Sequence, residues 1–262
     1  MKILAINGSH RGRKGYTQFL LNLLAKGIES GGGDFESIAL AEQNINRCIS
    51  CGKCNSKSHY LKCIHHEKDD MKTVLAKMAG ADILVFATPI YIFTMTGLFK
   101  NFLDRIYSTA DVFDLQMTQS GMLFHHMNKD ICSKPLVTLI CCDNTEKQTP
   151  KNAISYFRTY AKFHDAPMVG ELVRNAGRFA GHGKDPVAII RSPKLKLAYQ
   201  AFEKAGLELA EEGRISRATQ RAAARNILPI PPILQAFKGL RPIKTKMLAQ
   251  ARRMSNYREG DV

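Results

Sequence analysis

The chain has 262 residues, 45% of them hydrophobic, and it carries a formal net charge of +15 at pH 7. This hydrophobic content is typical of a globular protein, and a core of that size needs no disulfide bonds. The length predicts one α/β domain, residues 1–183, followed by a helical extension, residues 184–262. The first apolar run is too brief for a signal peptide, so a cytoplasmic location is expected.

The extension is basic, because residues 184–262 hold 16 Lys/Arg and 7 Asp/Glu, a net charge of +9. Such a tail can bind nucleic acid, anionic lipid or an acidic partner. Few aromatic residues stand between the charges, so the stacking surfaces expected for single-stranded nucleic acid are missing. We therefore interpret it as a solvated helical surface and expect neither nucleic acid nor a membrane as partner.

Strands and helices alternate along the chain. The predicted strands are residues 2–7, 34–40, 81–88, 134–141 and 167–173. The predicted helices between them are residues 17–30, 71–80, 96–108 and 150–163. The third strand is nearly continuous in Ile, Leu, Val and Phe, which is typical of a parallel strand covered on both faces. This alternation predicts a doubly wound five-stranded parallel sheet of order 2-1-3-4-5, a flavodoxin-like arrangement.

The extension shows its own helix signals. Ser192 and Pro193 form a good helix start, and Gly213 is a stop signal after Glu212. Residues 214–225 also have a helical pattern. Three prolines then break it, and two short basic helices are expected around residues 233–238 and 243–257.

In a doubly wound sheet, ligands bind beyond the carboxyl ends of the strands, where the winding reverses. That point lies between the first and third strands, where the loops 8–17, 88–96 and 142–149 converge. The long uncharged stretch 83–99 is interrupted by Pro89 and is shorter than the roughly 20 residues of a membrane span. A buried strand, a loop and the start of a helix explain it better.

The first loop carries the sharpest signal. It lies between a strand and a helix, where free backbone N–H groups and the helix dipole favour an anion. Ser9 and Thr17 offer hydroxyl donors, and Arg11 can pair with phosphate oxygens. Its glycine spacing matches neither the dinucleotide fingerprint nor the P-loop. The second loop is apolar and aromatic and could flank a flat ring, although its composition alone suits a core loop equally well.

Four cysteines, Cys48, Cys51, Cys54 and Cys63, are clustered between the second strand and the second helix. In a chain without a secretion signal, this spacing indicates a metal site or redox-active thiols. A four-iron cluster, a zinc ion and free thiols all remain open. The other three, Cys132, Cys141 and Cys142, are expected in the core beside strands. The histidine pairs 65–66 and 125–126 are interpreted as surface residues.

Together these motifs resemble the NAD(P)H-dependent FMN reductases of the flavodoxin-like superfamily, and in particular their iron–sulfur flavoprotein branch. The resemblance implies an FMN phosphate loop with Ser9, Arg11, Gly15, Tyr16 and Thr17. It implies a flavin-ring loop with Pro89, Ile90, Tyr91, Ile92, Phe93 and Thr94, closed on the other side by Asp143 and Asn144. It also implies metal ligation by Cys48, Cys51, Cys54 and Cys63, although the gap between the last two is longer than in the compact form of this motif.

The resemblance further implies an FMN-dependent oxidoreductase. Electrons would pass from NAD(P)H through FMN to a small-molecule substrate or a redox partner protein. The cofactor would carry the chemistry, so we nominate no catalytic side chain. The alternative is an electron carrier, with or without an iron–sulfur cluster, that lacks NAD(P)H activity of its own. Family resemblance also predicts a homodimer or homotetramer.

Overall fold

The structure is a computed structural model that describes residues 1–228, 240–242, 244, 245 and 249. The strands are β1 Lys2–Asn7, β2 Asp34–Ala39, β3 Ile83–Pro89, β4 Ala110–Met117, β5 Leu123–Met127, β6 Leu136–Cys141 and β7 Met168–Arg174. The helices are α1 Tyr16–Ser30, α2 Met71–Ala79, α3 Gly97–Ile106, α4 Lys129–Cys132, α5 Lys151–Phe163, α6 Val187–Arg191, α7 Pro193–Glu212 and α8 Arg217–Ala223. None of the helices in these described stretches is long and apolar enough to cross a membrane.

Five parallel strands form the central sheet in the order β2-β1-β3-β6-β7. This confirms the predicted doubly wound, flavodoxin-like sheet, because these are the first to fifth strands of the predicted order. The winding reverses between β1 and β3, which run in register from Ile3 opposite Ile83 to Asn7 opposite Ala87. The carboxyl ends of β1, β3 and β6 therefore open onto the same edge.

A β-hairpin was not predicted, and neither were the short helices α4 and α6. Strands β4 and β5 pair antiparallel as a separate hairpin between α3 and α4. Phe113, Leu115 and Met117 alternate along β4 but point outward and are largely exposed. The sequence shows this alternation of apolar and polar residues. Because the apolar side chains do not cover a core, the pattern alone did not identify a strand.

Helices cover both faces of the sheet. One apolar core joins α1 and α7 to one face, and the other joins α2, α3 and α5 to the opposite face. Helices α1 and α7 cross closely, because a Cβ at Gly27 would lie 1.8 Å from the carbonyl oxygen of Glu203. A helix of the basic extension thus packs directly on the sheet.

Helix α7 begins and ends as predicted, with Ser192 at its N-cap and Gly213 in the left-handed conformation at φ 70°. The division of the chain between residues 183 and 184 stays a prediction. The basic helix expected at 233–238 and most of the one expected at 243–257 lie outside the described residues.

Candidate functional site

The first loop is shaped by the buried side chain of Asn7, at the end of β1. Its Oδ1 accepts a hydrogen bond from the Ser9 backbone N–H at 2.9 Å, and its Nδ2 donates to Gln18 Oε1 at 3.0 Å. The Ser9 hydroxyl in turn accepts from the backbone N–H of Arg11 at 3.2 Å. These bonds brace the loop from within.

Helix α1 starts directly after this loop, and no side chain caps it, because its N-cap residue is Gly15. The first N–H groups of a helix need an outside partner, and the positive end of the dipole makes an anion a suitable one. A Cβ at Gly15 would lie 2.6 Å from Ser9 Oγ. Glycine is therefore needed here for the loop to fold tightly over the helix end.

Hydrogen bonds tie the three converging loops to one another. The Thr96 hydroxyl donates to the Gly8 carbonyl at 2.7 Å, joining the second loop to the first. Thr17 Oγ1 lies 3.3 Å from Cys141 Sγ, at the start of the third. The backbone N–H of Ile90 donates to the Cys141 carbonyl at 2.8 Å. The edge of the sheet is thus a connected framework rather than three independent loops.

A cavity of about 200 Å³ opens between these loops. Its walls contain most of the residues assigned to FMN from the sequence, namely Ser9, Arg11, Tyr16, Thr17, Pro89, Ile90, Tyr91 and Asp143. Cys141, Cys142 and His182 also line it and were not predicted. Five other residues assigned to FMN do not line this cavity, and their contacts with FMN stay predictions. They are Gly15, Ile92, Phe93, Thr94 and Asn144.

The second loop ends in a tight turn between Tyr91 and Thr94, whose backbone groups bond to each other at 3.0 and 3.3 Å. Ile92 and Phe93 occupy the two central positions with φ of 45° and 66°. This left-handed conformation is strained for a β-branched or bulky residue. Both side chains project into solvent, 89% and 60% exposed, so the turn presents an apolar tip beside the cavity.

Tyr16 contributes mainly to packing. Its ring is buried, and its hydroxyl lies 3.2 Å from that of Tyr199 on α7. Burial raises the pKa of Tyr16 well above its ordinary value, so the phenol stays neutral. The residue links the phosphate-type loop to the helix of the basic extension.

Asp143 of the third loop meets His182 at the cavity. Nε2 of His182 lies 2.7 Å from Oδ1 of Asp143. The hydrogen bond from His182 is the largest cause that holds the pKa of Asp143 below its usual range. The neighbouring Asn144 uses its side chain locally, accepting from the backbone N–H of Glu146 at 2.8 Å. His182 was missed, although its position between Gly181 and Gly183 was a readable turn signal.

The clustered cysteines line a different cavity, of about 590 Å³, which α3 also borders. Cys48 and Cys51 are exposed, Cys54 and Cys63 are half-buried, and all four are free thiols. Burial, followed by the neighbouring cysteines, raises the pKa of Cys54. In the part of the chain that the structure describes, no three His, Cys, Asp or Glu side chains converge as a metal site.

A buried ion pair anchors this cysteine loop. Arg105, on α3, donates to both oxygens of Asp69, and the side chains of both residues are almost completely buried. Arg105 also donates to the carbonyl oxygen of Asn46 at 2.7 Å. Its guanidinium interacts with Cys63 as well, so one side chain joins the two ends of the loop.

The remaining cysteines lie in the core, as predicted. Burial raises the pKa of Cys141 to about 12 and that of Cys132 and Cys142 to about 11. Cys132 differs from the expectation in one respect, because it ends the short helix α4 rather than flanking a strand. Of the histidines, His65 lines the cavity of the cysteines, and His125 and His126 lie on β5.

The donor groups present fit the two implied cofactors unequally. The uncapped start of α1, the Ser9 hydroxyl and the Arg11 side chain together suit a phosphate group, beside apolar walls at Pro89 and Ile90. Four thiols on one cavity wall suit an iron–sulfur cluster in their chemistry. Their side chains are not gathered around one point, so no chemical step is derived through a cluster here.

Comparison with known proteins shows what the first part of the chain is similar to. Residues 1–123 match the family described as NADPH-dependent FMN reductase. The matched segment contains the first loop, the cysteine loop and the second loop. The match therefore confirms the resemblance drawn from those motifs.

Similar proteins point the same way. An iron–sulfur flavoprotein of Archaeoglobus fulgidus is 41% identical over 105 residues, which are 40% of this chain and 48% of that protein. One of Methanocaldococcus jannaschii is 32% identical over 105 residues, 40% of this chain and 50% of that protein. The chain thus spans about half the length of the curated relatives it matches. The structure of an FMN-dependent NADH-azoreductase from Bacillus anthracis shares the fold, with a TM-score of 0.57 and 15% identity over 80% of this chain and 99% of that one.

Proposed function

We propose that the protein is an FMN-dependent oxidoreductase that takes electrons from NAD(P)H and delivers them to a small-molecule or protein acceptor. The observation that supports this most strongly is the single cavity lined by all three loops at the reversal point of the sheet. The match of residues 1–123 to the FMN reductases supports it independently.

The residues have distinct parts in this proposal. The N–H groups at the start of α1, together with Ser9 and Arg11, hold the phosphate, because they combine a helix dipole with charge-assisted hydrogen bonds. Pro89, Ile90 and Tyr91 form the apolar wall for the ring. Bound FMN would supply the hydride-accepting and electron-transferring chemistry. The exposed turn at Ile92 and Phe93 leaves room for a second molecule beside it.

Arg11 provides the direct test, with Arg13 as its matched control. Both are basic residues of the same loop, but Arg13 pairs with Glu42 at 2.9 Å and does not line the cavity. Arg11→Ala is expected to weaken FMN binding by about tenfold, the loss of one charge-assisted hydrogen bond, while Arg13→Ala leaves it unchanged. Fluorescence titration of FMN into the flavin-free protein measures both.

The absorption spectrum of bound FMN and the rate of NAD(P)H oxidation complete the test. Purified protein that takes up FMN and then oxidises NADH or NADPH with an added quinone or azo acceptor would support the proposal. Protein that binds no FMN at any concentration would overturn it.

An electron carrier is the second candidate, supported by the four thiols on one cavity wall beside the flavin-type segment. A carrier would bind FMN but oxidise NAD(P)H very slowly, and it would exchange electrons with a protein partner instead. Iron, acid-labile sulfide and flavin analysis of anaerobically purified protein tests whether Cys48, Cys51, Cys54 and Cys63 hold a cluster. Four iron and four sulfide per chain would favour the carrier.

A further inference from the structure

His182 sits in an unusual backbone turn. Gly181, His182 and Gly183 have φ of 56°, 49° and 75°, three consecutive left-handed residues. A Cβ at Gly181 would lie 2.3 Å from Asp185 Cβ, and one at Gly183 would lie 2.5 Å from the ring of Phe19. Glycines are therefore required on both sides. This conformation is unfavourable for a residue with a Cβ, and residues held in it cluster at functional sites.

The turn places the imidazole at the candidate flavin site. The backbone N–H of His182 donates to the Gly177 carbonyl at 2.9 Å, which fixes the turn. The ring meets that of Tyr16 edge-on, with centroids 5.8 Å apart, and Nε2 reaches Asp143 at 2.7 Å. His182 and Asp143 line the same cavity as Ser9 and Arg11. Neither residue belongs to the segment that matches the FMN reductases.

The charge of this pair matters because of what the cavity is proposed to hold. Among the described residues lining it, Asp143 is the one carboxylate, and an uncompensated carboxylate would repel a phosphate dianion. His182 is its hydrogen-bond partner, and Arg178 and Arg11 also act on it. The remaining neighbours, Tyr16 and Cys142, stay neutral, since burial raises the pKa of each.

Other charged groups lie close to this pair. Arg174 is buried behind Tyr16, and Lys184 and Asp185 follow the turn in the chain.

We propose that His182 is an FMN-site residue that binds Asp143 and so offsets the repulsion between this carboxylate and the phosphate of FMN. This inference rests on the proposed function, because it presumes FMN as the ligand. The sign follows from the contact. Without a partner at position 182, the carboxylate of Asp143 faces the phosphate unpaired, and the affinity for FMN falls.

The test measures the Kd of FMN and of riboflavin, which lacks the phosphate, for the wild type and for variants of the pair at one pH. His182→Ala is expected to bind FMN about three- to tenfold more weakly than the wild type, as expected for partly exposed charges. Its affinity for riboflavin should change little, because riboflavin carries no phosphate for Asp143 to repel.

Variants separate the pair from general effects. Asp143→Asn, which removes the repelling carboxylate, should bind FMN at least as tightly as the wild type, and adding His182→Ala to it should cost no further affinity for FMN. The matched control is His126→Ala, which removes a histidine that lies 3.6 Å from Asp114 on the hairpin, away from the cavity. It should keep the wild-type Kd for both flavins. Thermal unfolding confirms that each variant is folded, and Asp143→Asn alone carries the test if His182→Ala is not.

The outcomes distinguish this inference from the proposed function. Wild-type protein that binds no FMN overturns the proposed function. A His182→Ala variant that keeps the wild-type Kd of FMN, or an Asp143→Asn variant that binds FMN clearly more weakly than the wild type, overturns the role of the pair and leaves the proposed function standing.

Discussion

The candidate flavin site and the cysteine loop are built in different ways. The flavin loops follow the carboxyl ends of β1, β3 and β6, and their backbones bond to one another. The cysteine loop, between β2 and α2, contains only short helical turns and mostly exposed or half-buried residues. A site on adjacent strand ends is positioned by the sheet itself, whereas a site within a long loop depends on a few anchors.

The cysteine loop is held mainly by one ion pair, between Asp69 and Arg105. A buried ion pair contributes little net stability, but removal of one partner leaves an uncompensated charge in the interior. The loops of the candidate flavin site are instead held together by many hydrogen bonds between neutral groups. We therefore expect single substitutions to affect the two regions very differently.

The largest effect is expected from Asp69→Ala. It leaves the Arg105 guanidinium buried without a carboxylate, which should lower the free energy of unfolding by about 3–5 kcal/mol. Urea denaturation measures this, and limited proteolysis should become faster within residues 43–70. Asp104→Ala, which removes only an exposed pair with Lys100, should cost less than about 0.5 kcal/mol. Equal losses in the two variants would contradict the anchoring role.

Ligand should stabilise the flavin site specifically. FMN at about 100 times its Kd is expected to raise the free energy of unfolding by about 2.7 kcal/mol, since it binds the folded state only. Urea curves with and without FMN measure the increment. At the same FMN concentration, Arg11→Ala should show a clearly smaller increment, and an unchanged one would argue against a phosphate contact at Arg11.

Gly8→Ala tests how tightly the first loop is packed. Its Cβ would lie 2.5 Å from the ring of Phe99, which is completely buried. Overpacking of this kind should cost about 1–3 kcal/mol and weaken FMN binding as the loop shifts. Gly97→Ala is the control, because a Cβ there meets nothing within 4 Å. Comparable losses from both substitutions would show that the loop is not tightly packed.

The smallest effect is expected from replacing the four clustered cysteines with serine in metal-free protein. These thiols are exposed or half-buried, so the free energy of unfolding should change by no more than about 0.5 kcal/mol for each. The Kd of FMN, measured by fluorescence titration, should stay the same. A marked loss of FMN binding would mean that the two regions form one site.

Local patterns in the chain were enough to predict the sheet and the loops at its edge. A strand such as 2–7 and a helix such as 17–30 each carry their own periodicity and stop signals. The order of a doubly wound sheet then follows from general rules of connection, so the meeting of residues 8–17 and 88–96 could be predicted.

Contacts between distant residues could not be predicted in this way. His182 and Asp143 are 39 positions apart. Their approach depends on the turn at Gly181–Gly183 folding back over Tyr16. Likewise, nothing local links Asp69 to Arg105, since the distance between them is set by the packing of α2 and α3.

The sequence by itself thus determined the sheet, the edge where its loops converge and the glycine-rich loop at the start of α1, because each depends on neighbours in the chain. It also determined that four thiols lie in one loop. Only the tertiary structure decided that these thiols are anchored through Arg105 and that Asp143 is paired with a histidine. Those outcomes depend on side chains brought together by packing, and packing leaves no short-range pattern to read.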